Sequence, residues 1–229
     1  MKRTLLSATA AAAAMAAVMP LAAPAHHQPG HEGGGDSLSI AAAPSPVLWA
    51  NATTITGKLK GPDHAGKAVE LQHRPHPFTD PYQIVSTTTT NNDGEYSFTI
   101  APARHTIYRT VLKASPDQRS EELLMGVLMR INKKVTDRTP KRGRFVTFYG
   151  AVAPAHDGNP VHIQRLGSDG VYRTVASTRL TDAGERYPTN SFYEGRVRVR
   201  RDGTYRVTVL ADADHGENST RTVRLDAHR

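Results

Sequence analysis

From Leu38 onward the chain is built of short runs in which apolar and polar residues alternate, broken at intervals by glycine, proline, asparagine and aspartate. A period of two puts one set of side chains on a buried face and the other in solvent, so these runs predict β-strands. In Lys67–Gln72, Val69 and Leu71 face inward while Glu70 and Gln72 face out. Glu95–Ile100 sets Tyr96, Phe98 and Ile100 on one face, directly after Asn91-Asn92-Asp93-Gly94, whose Asp-Gly pair accepts the positive φ of a tight turn. Leu38–Ile40, Thr53–Leu59 (ending at the turn Gly61-Pro62-Asp63), Tyr82–Thr90 and His105–Ala114 supply further strands. Glu121–Asn132 has few breakers and fits a helix as well as a strand, but its place matches Ser219–Leu225 near the end of the chain, and it is read as strand.

The pattern also repeats. Thr54-Ile55-Thr56-Gly57-Lys58-Leu59 has its echo in Thr147-Phe148-Tyr149-Gly150-Ala151-Val152, about 93 residues later. Val69-Glu70-Leu71-Gln72 returns as Val161-His162-Ile163-Gln164, and Tyr108-Arg109-Thr110-Val111-Leu112 as Tyr205-Arg206-Val207-Thr208-Val209. Solenoid units run about 20–50 residues, so so long a period implies duplicated domains. Two tandem antiparallel β-sandwiches are expected, over residues 38–128 and 129–229. In the second, Arg144–Val152, Val161–Gln164, Tyr172–Leu180 and Thr204–Leu210 are the clearest strands. No polar linker separates the two, so they should be joined semi-rigidly.

Residues 1–25 read as a cleaved secretory signal: Lys2 and Arg3, an alanine-heavy apolar stretch to Val18, and the small-x-small site Ala23-Pro24-Ala25. Residues 26–37 form a Gly/His/Pro-rich leader expected to be disordered, in which His26, His27 and His31 are a weak metal-binding cluster at most. A secreted location with no membrane span after cleavage follows. The chain contains no cysteine, which excludes disulfides and thiolate metal sites and leaves stability to packing. The formal charge of +8 is uneven. Residues 26–128 hold eight Lys/Arg against ten Asp/Glu, whereas residues 129–229 hold nineteen against eleven. The second repeat is the one suited to anionic partners.

Several stretches resemble repeats of secreted actinobacterial proteins: Gly150-Ala151-Val152-Ala153-Pro154, Gly158, Val161 through Arg165, Tyr172 through Ala176, Gly203-Thr204-Tyr205-Arg206-Val207 and Ser219 through Leu225. Such repeats are similar to bacterial immunoglobulin-like and transthyretin-like (carboxypeptidase regulatory-like) sandwich modules. The likeness covers residues 129–229 and, more loosely, 38–128, where Pro75-His76-Pro77-Phe78 extends a hairpin. It implies an accessory, non-catalytic role and brings no catalytic residues with it.

The motifs agree with that expectation. Gly-x-Ser-x-Gly, His-Glu-x-x-His and a phosphate-cradling loop are absent, and Gly167-Ser168-Asp169-Gly170 reads as a hairpin turn. His73 and His76 have the spacing of a ligand pair but no specified third partner. Asp212, Asp214, His215 and Glu217 read as a solvated turn, since their spacing matches no known calcium loop. No cofactor and no metal centre is called for. The strongest binding candidate is Arg196-Val197-Arg198-Val199-Arg200-Arg201: on a strand, Val197 and Val199 point inward and Arg196, Arg198 and Arg200 line the outer face, suited to phosphate or carboxylate. Charged positions of this kind also simply solubilise a sheet. The second candidate is an insertion, Glu185–Glu194, carrying Tyr187, Phe192 and Tyr193. It is either a specificity loop or a long hairpin whose aromatics fold back on the sheet edge. The chain is therefore expected to be a non-catalytic secreted structural or interaction module, or else a binder of anionic cell-envelope polymers. Its partner would be such a polymer or another exported protein. Nucleic acid is excluded by export and by a strand without interleaved aromatics for base stacking.

Overall fold

The computed structural model describes residues 37–229, and every regular element among them is a β-strand. The expected signal at residues 1–25 and the expected leader, with His26, His27 and His31, lie outside the described residues. Ten longer strands carry the architecture. In the N-terminal half they are β1 (Thr53–Lys60), β2 (Ala68–Pro75), β3 (Gln83–Thr89), β4 (Glu95–Ile100) and β5 (Thr106–Leu112). In the C-terminal half they are β6 (Arg144–Ala153), β7 (Pro160–Leu166), β8 (Tyr172–Arg179), β9 (Ser191–Val199) and β10 (Gly203–Val209). Apart from β9, expected and observed strands agree to within about three residues at each end, because period-two alternation marks a strand's body better than its frayed termini.

Each half pairs its strands in the same way. β1 pairs with β4 on one side and with the short strands Ser37–Leu38 and Ala41–Ala43 on the other. β6 likewise pairs with β9 on one side and with Arg130–Ile131 and Lys134–Val135 on the other. The second sheet of each half runs β3-β2-β5 and β8-β7-β10, closed by Leu123–Met125 and Val223–Leu225 respectively. Even the irregularities correspond: the register shifts between Leu71 and Gln72 in β2, and between Ile163 and Gln164 in β7. All these ladders are antiparallel.

Inward residues form two apolar clusters. Ile55, Leu59, Val69, Leu71, Tyr96, Phe98, Tyr108 and Met125 lie in the first, and Val146, Phe148, Val161, Ile163, Tyr193, Val197, Val207 and Leu225 in the second. Two facing antiparallel sheets around each cluster give an all-β fold of the sandwich type. Burying a side chain of this size contributes about 1.5–3 kcal/mol, and packing of this kind has to hold a chain that has no disulfide.

Glu121–Asn132 departs from its expected form. It is neither a helix nor one strand but three short ones, Leu123–Met125, Val127–Leu128 and Arg130–Ile131. The first joins β5, the last joins β6, and Val127–Leu128 runs parallel to Val47–Leu48. A segment that leaves one core for the next cannot keep a single register, so it changes partner twice. On one side the Val47 and Trp49 amides donate to the carbonyls of Gly126 and Leu128 at 2.9 Å, and on the other the Gly216 amide donates to Val127 O at 2.7 Å. The connection is thereby held from both flanks.

Candidate functional site

The outer face of the β6–β9 sheet brings both sequence candidates together. Along β9, Ser191, Tyr193, Gly195, Val197 and Val199 are buried, while Phe192, Glu194, Arg196 and Arg198 point to solvent. β6 lies beside it in register, with Phe145 opposite Arg198, Thr147 opposite Arg196, Tyr149 opposite Glu194 and Ala151 opposite Phe192. Lys134 pairs with Tyr149, and Thr181 with Phe192, which widens the surface on both edges. Phe145 (55% exposed), Tyr149 and Phe192 (39% each) are exposed to water. Arg196 stacks over Phe145 at 4.9 Å from the ring centroid, and Arg198 Nε donates to Gly143 O at 2.9 Å. A shallow depression opens between Tyr149 and Phe192, lined also by Asn132, Lys134, Gly150, Ala151 and Glu194.

The residues predicted to bind distribute as follows. Arg196 and Arg198 line the outer face, with Val197 and Val199 behind them. Arg200 is exposed but lies past the end of β9, in a hollow it shares with Arg198, Arg165, Val175 and Arg201. The insertion is shorter than expected, because Ser191–Glu194 is already strand. Tyr187, in the remaining loop, rests 5.8 Å from Phe192 between centroids, beneath the Arg186 guanidinium. Tyr193 is a correction. It is 2% exposed, faces the core, and donates its hydroxyl to Asn132 O at 2.8 Å, while burial pushes its pKa up. One residue along a strand reverses the face, so the loop reading could not separate Tyr193 from Phe192. Phe145 and Tyr149 went unnoticed in the sequence because they alternate with buried Val146 and Phe148 inside one aromatic run.

A second arrangement lies where the two halves meet, and it overturns the solvated-turn expectation for Asp212–Glu217. That turn closes on itself: Asp212 Oδ1 accepts from the Asp214 and His215 amides at 2.8 Å each. It then docks on the N-terminal half. Asp214 O accepts from the His105 amide at 2.8 Å, and its carboxylate meets His76 Nδ1 at 2.9 Å and Arg104 at 3.6 Å. His215 is 4% exposed and its Nε2 bonds Ala103 O at 2.8 Å. His73 and His76 do not act as a ligand pair: His73 packs beside Tyr108, and His76 turns to Asp214. Instead His156, Asp212 and His215 offer donor atoms that lie within 4.8 Å of one another, the one group of this kind among the described residues. His105 Nδ1 accepts the Val127 amide at 3.0 Å, which requires a neutral ring. Burial, reinforced by the neighbouring His215, lowers its pKa accordingly. Burial also lowers the His156 pKa, against the pull of Asp212. Burial alone would raise Asp212, but the His215 and Asp214 amides outweigh it and hold the carboxyl below its usual range.

A comparison of the chain with known protein families finds no match, and a comparison with curated proteins finds none either. Among the described residues no helix is long and apolar enough to cross a membrane.

Proposed function

We propose that this chain is a secreted, non-catalytic binding protein of two tandem immunoglobulin-like sandwiches, and that it binds an acidic cell-envelope polysaccharide on the outer face of the β6–β9 sheet. One observation carries this reading: arginines and exposed aromatics, separate candidates in the sequence, share one solvent-facing surface, with a depression between Tyr149 and Phe192. Aromatic faces stack on the C–H faces of sugar rings, and planar guanidiniums donate to carboxylate or phosphate in bidentate fashion. Glu194 lies among them and would repel a bare polyphosphate, but it suits a glycan whose hydroxyls it can accept. The basic balance of residues 129–229 supports an anionic rather than neutral polymer.

The test is sedimentation with purified cell walls and with isolated acidic polysaccharide, at low and high salt. Binding should weaken as salt rises. It should fall at least about tenfold, equivalent to roughly 1.4 kcal/mol, both in Arg196→Ser/Arg198→Ser and in Tyr149→Ala/Phe192→Ala. No binding at low salt, or binding indifferent to both pairs, would sink the proposal. Loss in the arginine pair alone would replace the polysaccharide with a polyanion that needs no sugar stacking.

A further inference from the structure

The His156–Asp212–His215 group has a donor count that does not close. Ala103 O can only accept, so His215 Nε2 carries a proton and, in the neutral ring, His215 Nδ1 presents a lone pair. That lone pair faces His156 Nε2 at 3.1 Å, so His156 Nε2 must donate. His156 Nδ1 then presents its own lone pair to Asp212 Oδ2, 3.1 Å away. Two acceptors oppose each other in a part-buried place, and the set is one positive charge short. A second proton on His156 would remove the conflict, and so would a metal cation among the three groups. The separations also suit a metal: one ligand atom from each residue lies within 4.8 Å of the others, with His156 Nε2 3.1 Å and Asp212 Oδ1 3.7 Å from His215 Nδ1, against about 3.3 Å between neighbouring ligands of a tetrahedral ion with bonds near 2.0–2.1 Å.

We infer that His156, Asp212 and His215 bind one zinc-class divalent ion, and that the N-terminal half helps to build the site. One ring nitrogen of His156, Nδ1 of His215 and one oxygen of Asp212 are the ligands, leaving a fourth position for water. Two imidazoles and one carboxylate suit zinc and its neighbours, whereas calcium needs six or more oxygens. The surrounding contacts are those a metal site requires. Ala103 O fixes the His215 tautomer, Asn159 Nδ2 donates to Asp212 Oδ2 at 3.1 Å, and two backbone amides hold Asp212 Oδ1. Ala103 belongs to the N-terminal half, in the segment between β4 and β5, and the ligand-bearing turn is the one that grips Val127 and His105. Metal binding and docking of the halves are therefore linked, independently of the polysaccharide surface.

The experiment uses the purified chain stripped with chelator and titrated with Zn²⁺ by calorimetry, with Co²⁺ as a spectroscopic probe. The leader histidines are controlled by His26→Ala/His27→Ala/His31→Ala. One equivalent should bind in that variant, with a tetrahedral Co²⁺ spectrum, and Zn²⁺ at about a hundredfold excess over Kd should raise Tm by roughly 5–10 °C. Both effects should vanish in His156→Gln and in Asp212→Asn, part-exposed positions whose replacement leaves the cores intact. Zn²⁺ should also raise hydrogen-exchange protection at the Val127 and Gly216 amides. Absence of a bound equivalent in the leader variant, or binding unchanged by His156→Gln and Asp212→Asn, would overturn the site. Binding without added protection at those amides would overturn the coupling.

Discussion

On the outer face of β6 and β9 stand Tyr149, Phe192 and Arg196; at the matching places on β1 and β4 stand Thr56, Glu95 and Thr99. The alignment is anchored by two residue pairs. Gly57 lies opposite Tyr96, and Gly150 opposite Tyr193. In both halves the tyrosine hydroxyl donates to a carbonyl of the neighbouring segment, Ser39 O and Asn132 O. Other contacts recur as faithfully. Arg109 Nε donates to Gln72 Oε1 at 3.0 Å and covers the Tyr82 ring, while Arg206 Nε donates to Gln164 Oε1 at 2.8 Å and covers the Tyr172 ring. What recurs are backbone approaches and half-buried polar bonds, which the fold needs. What differs is exposed, so nothing in the fold compels it. That contrast is why the aromatic face is read as binding rather than packing.

The severest test of the equivalence is the glycine pair. A Cβ at Gly57 would run into Ser39 O and the Tyr96 hydroxyl, and one at Gly150 into Asn132 O. Since the obstacle is backbone in both, Gly57→Ala and Gly150→Ala should each cost roughly 3 kcal/mol in denaturant unfolding. A loss at one site and none at the other would break the structural correspondence.

Next in size is conversion of the second face into the first. Tyr149→Thr/Phe192→Glu/Arg196→Thr should abolish wall binding by at least about tenfold while Tm moves by no more than a few degrees, because exposed substitutions on a strand cost little. A collapse in Tm would show that these aromatics serve the sheet, and the contrast between faces would lose its meaning.

Much of this was legible in the sequence and some of it was not, for definite reasons. Val69/Leu71, Tyr96/Phe98/Ile100 and Val197/Val199 were readable because alternation is a local signal. The matching segments of the two halves were readable because each is a short local pattern that recurs after 92 to 97 residues. The junction was hidden because its members come from unrelated turns: 59 residues separate His156 from His215, and 112 separate His215 from Ala103. Turns have no periodicity, so nothing local announces that Asp212–Glu217 will be covered by another part of the chain. Gly126 and its neighbours hid two changes of partner inside what looked like one apolar run.

A finer test returns to the recurring polar contacts. Gln72 serves Arg109 through one bond, whereas Gln164 Oε1 accepts from both Arg206 Nε and, at 3.2 Å, Thr208 Oγ1. Gln72→Ala should cost about 1 kcal/mol and Gln164→Ala about half a kcal/mol more, measured by urea unfolding. Equal losses would mean that the Thr208 bond adds nothing.

The smallest expected effect comes from the position after those glutamines, His73 in one half and Arg165 in the other, opposite Tyr108 and Tyr205. Burial lowers the His73 pKa below its usual value, although a hydrogen bond with Gln83 acts the other way. The unfolded chain therefore takes up a proton at His73 more readily than the folded one. The contribution of His73 to stability is complete above about pH 6.5 and declines as the pH falls below that value. The matching position of the other half holds Arg165 rather than a histidine. The difference in unfolding free energy between His73→Gln and the parent chain should thus change between pH 7 and pH 5, the parent losing more. A difference that stays flat over that interval would place His73 in open solvent and erase this asymmetry between the halves.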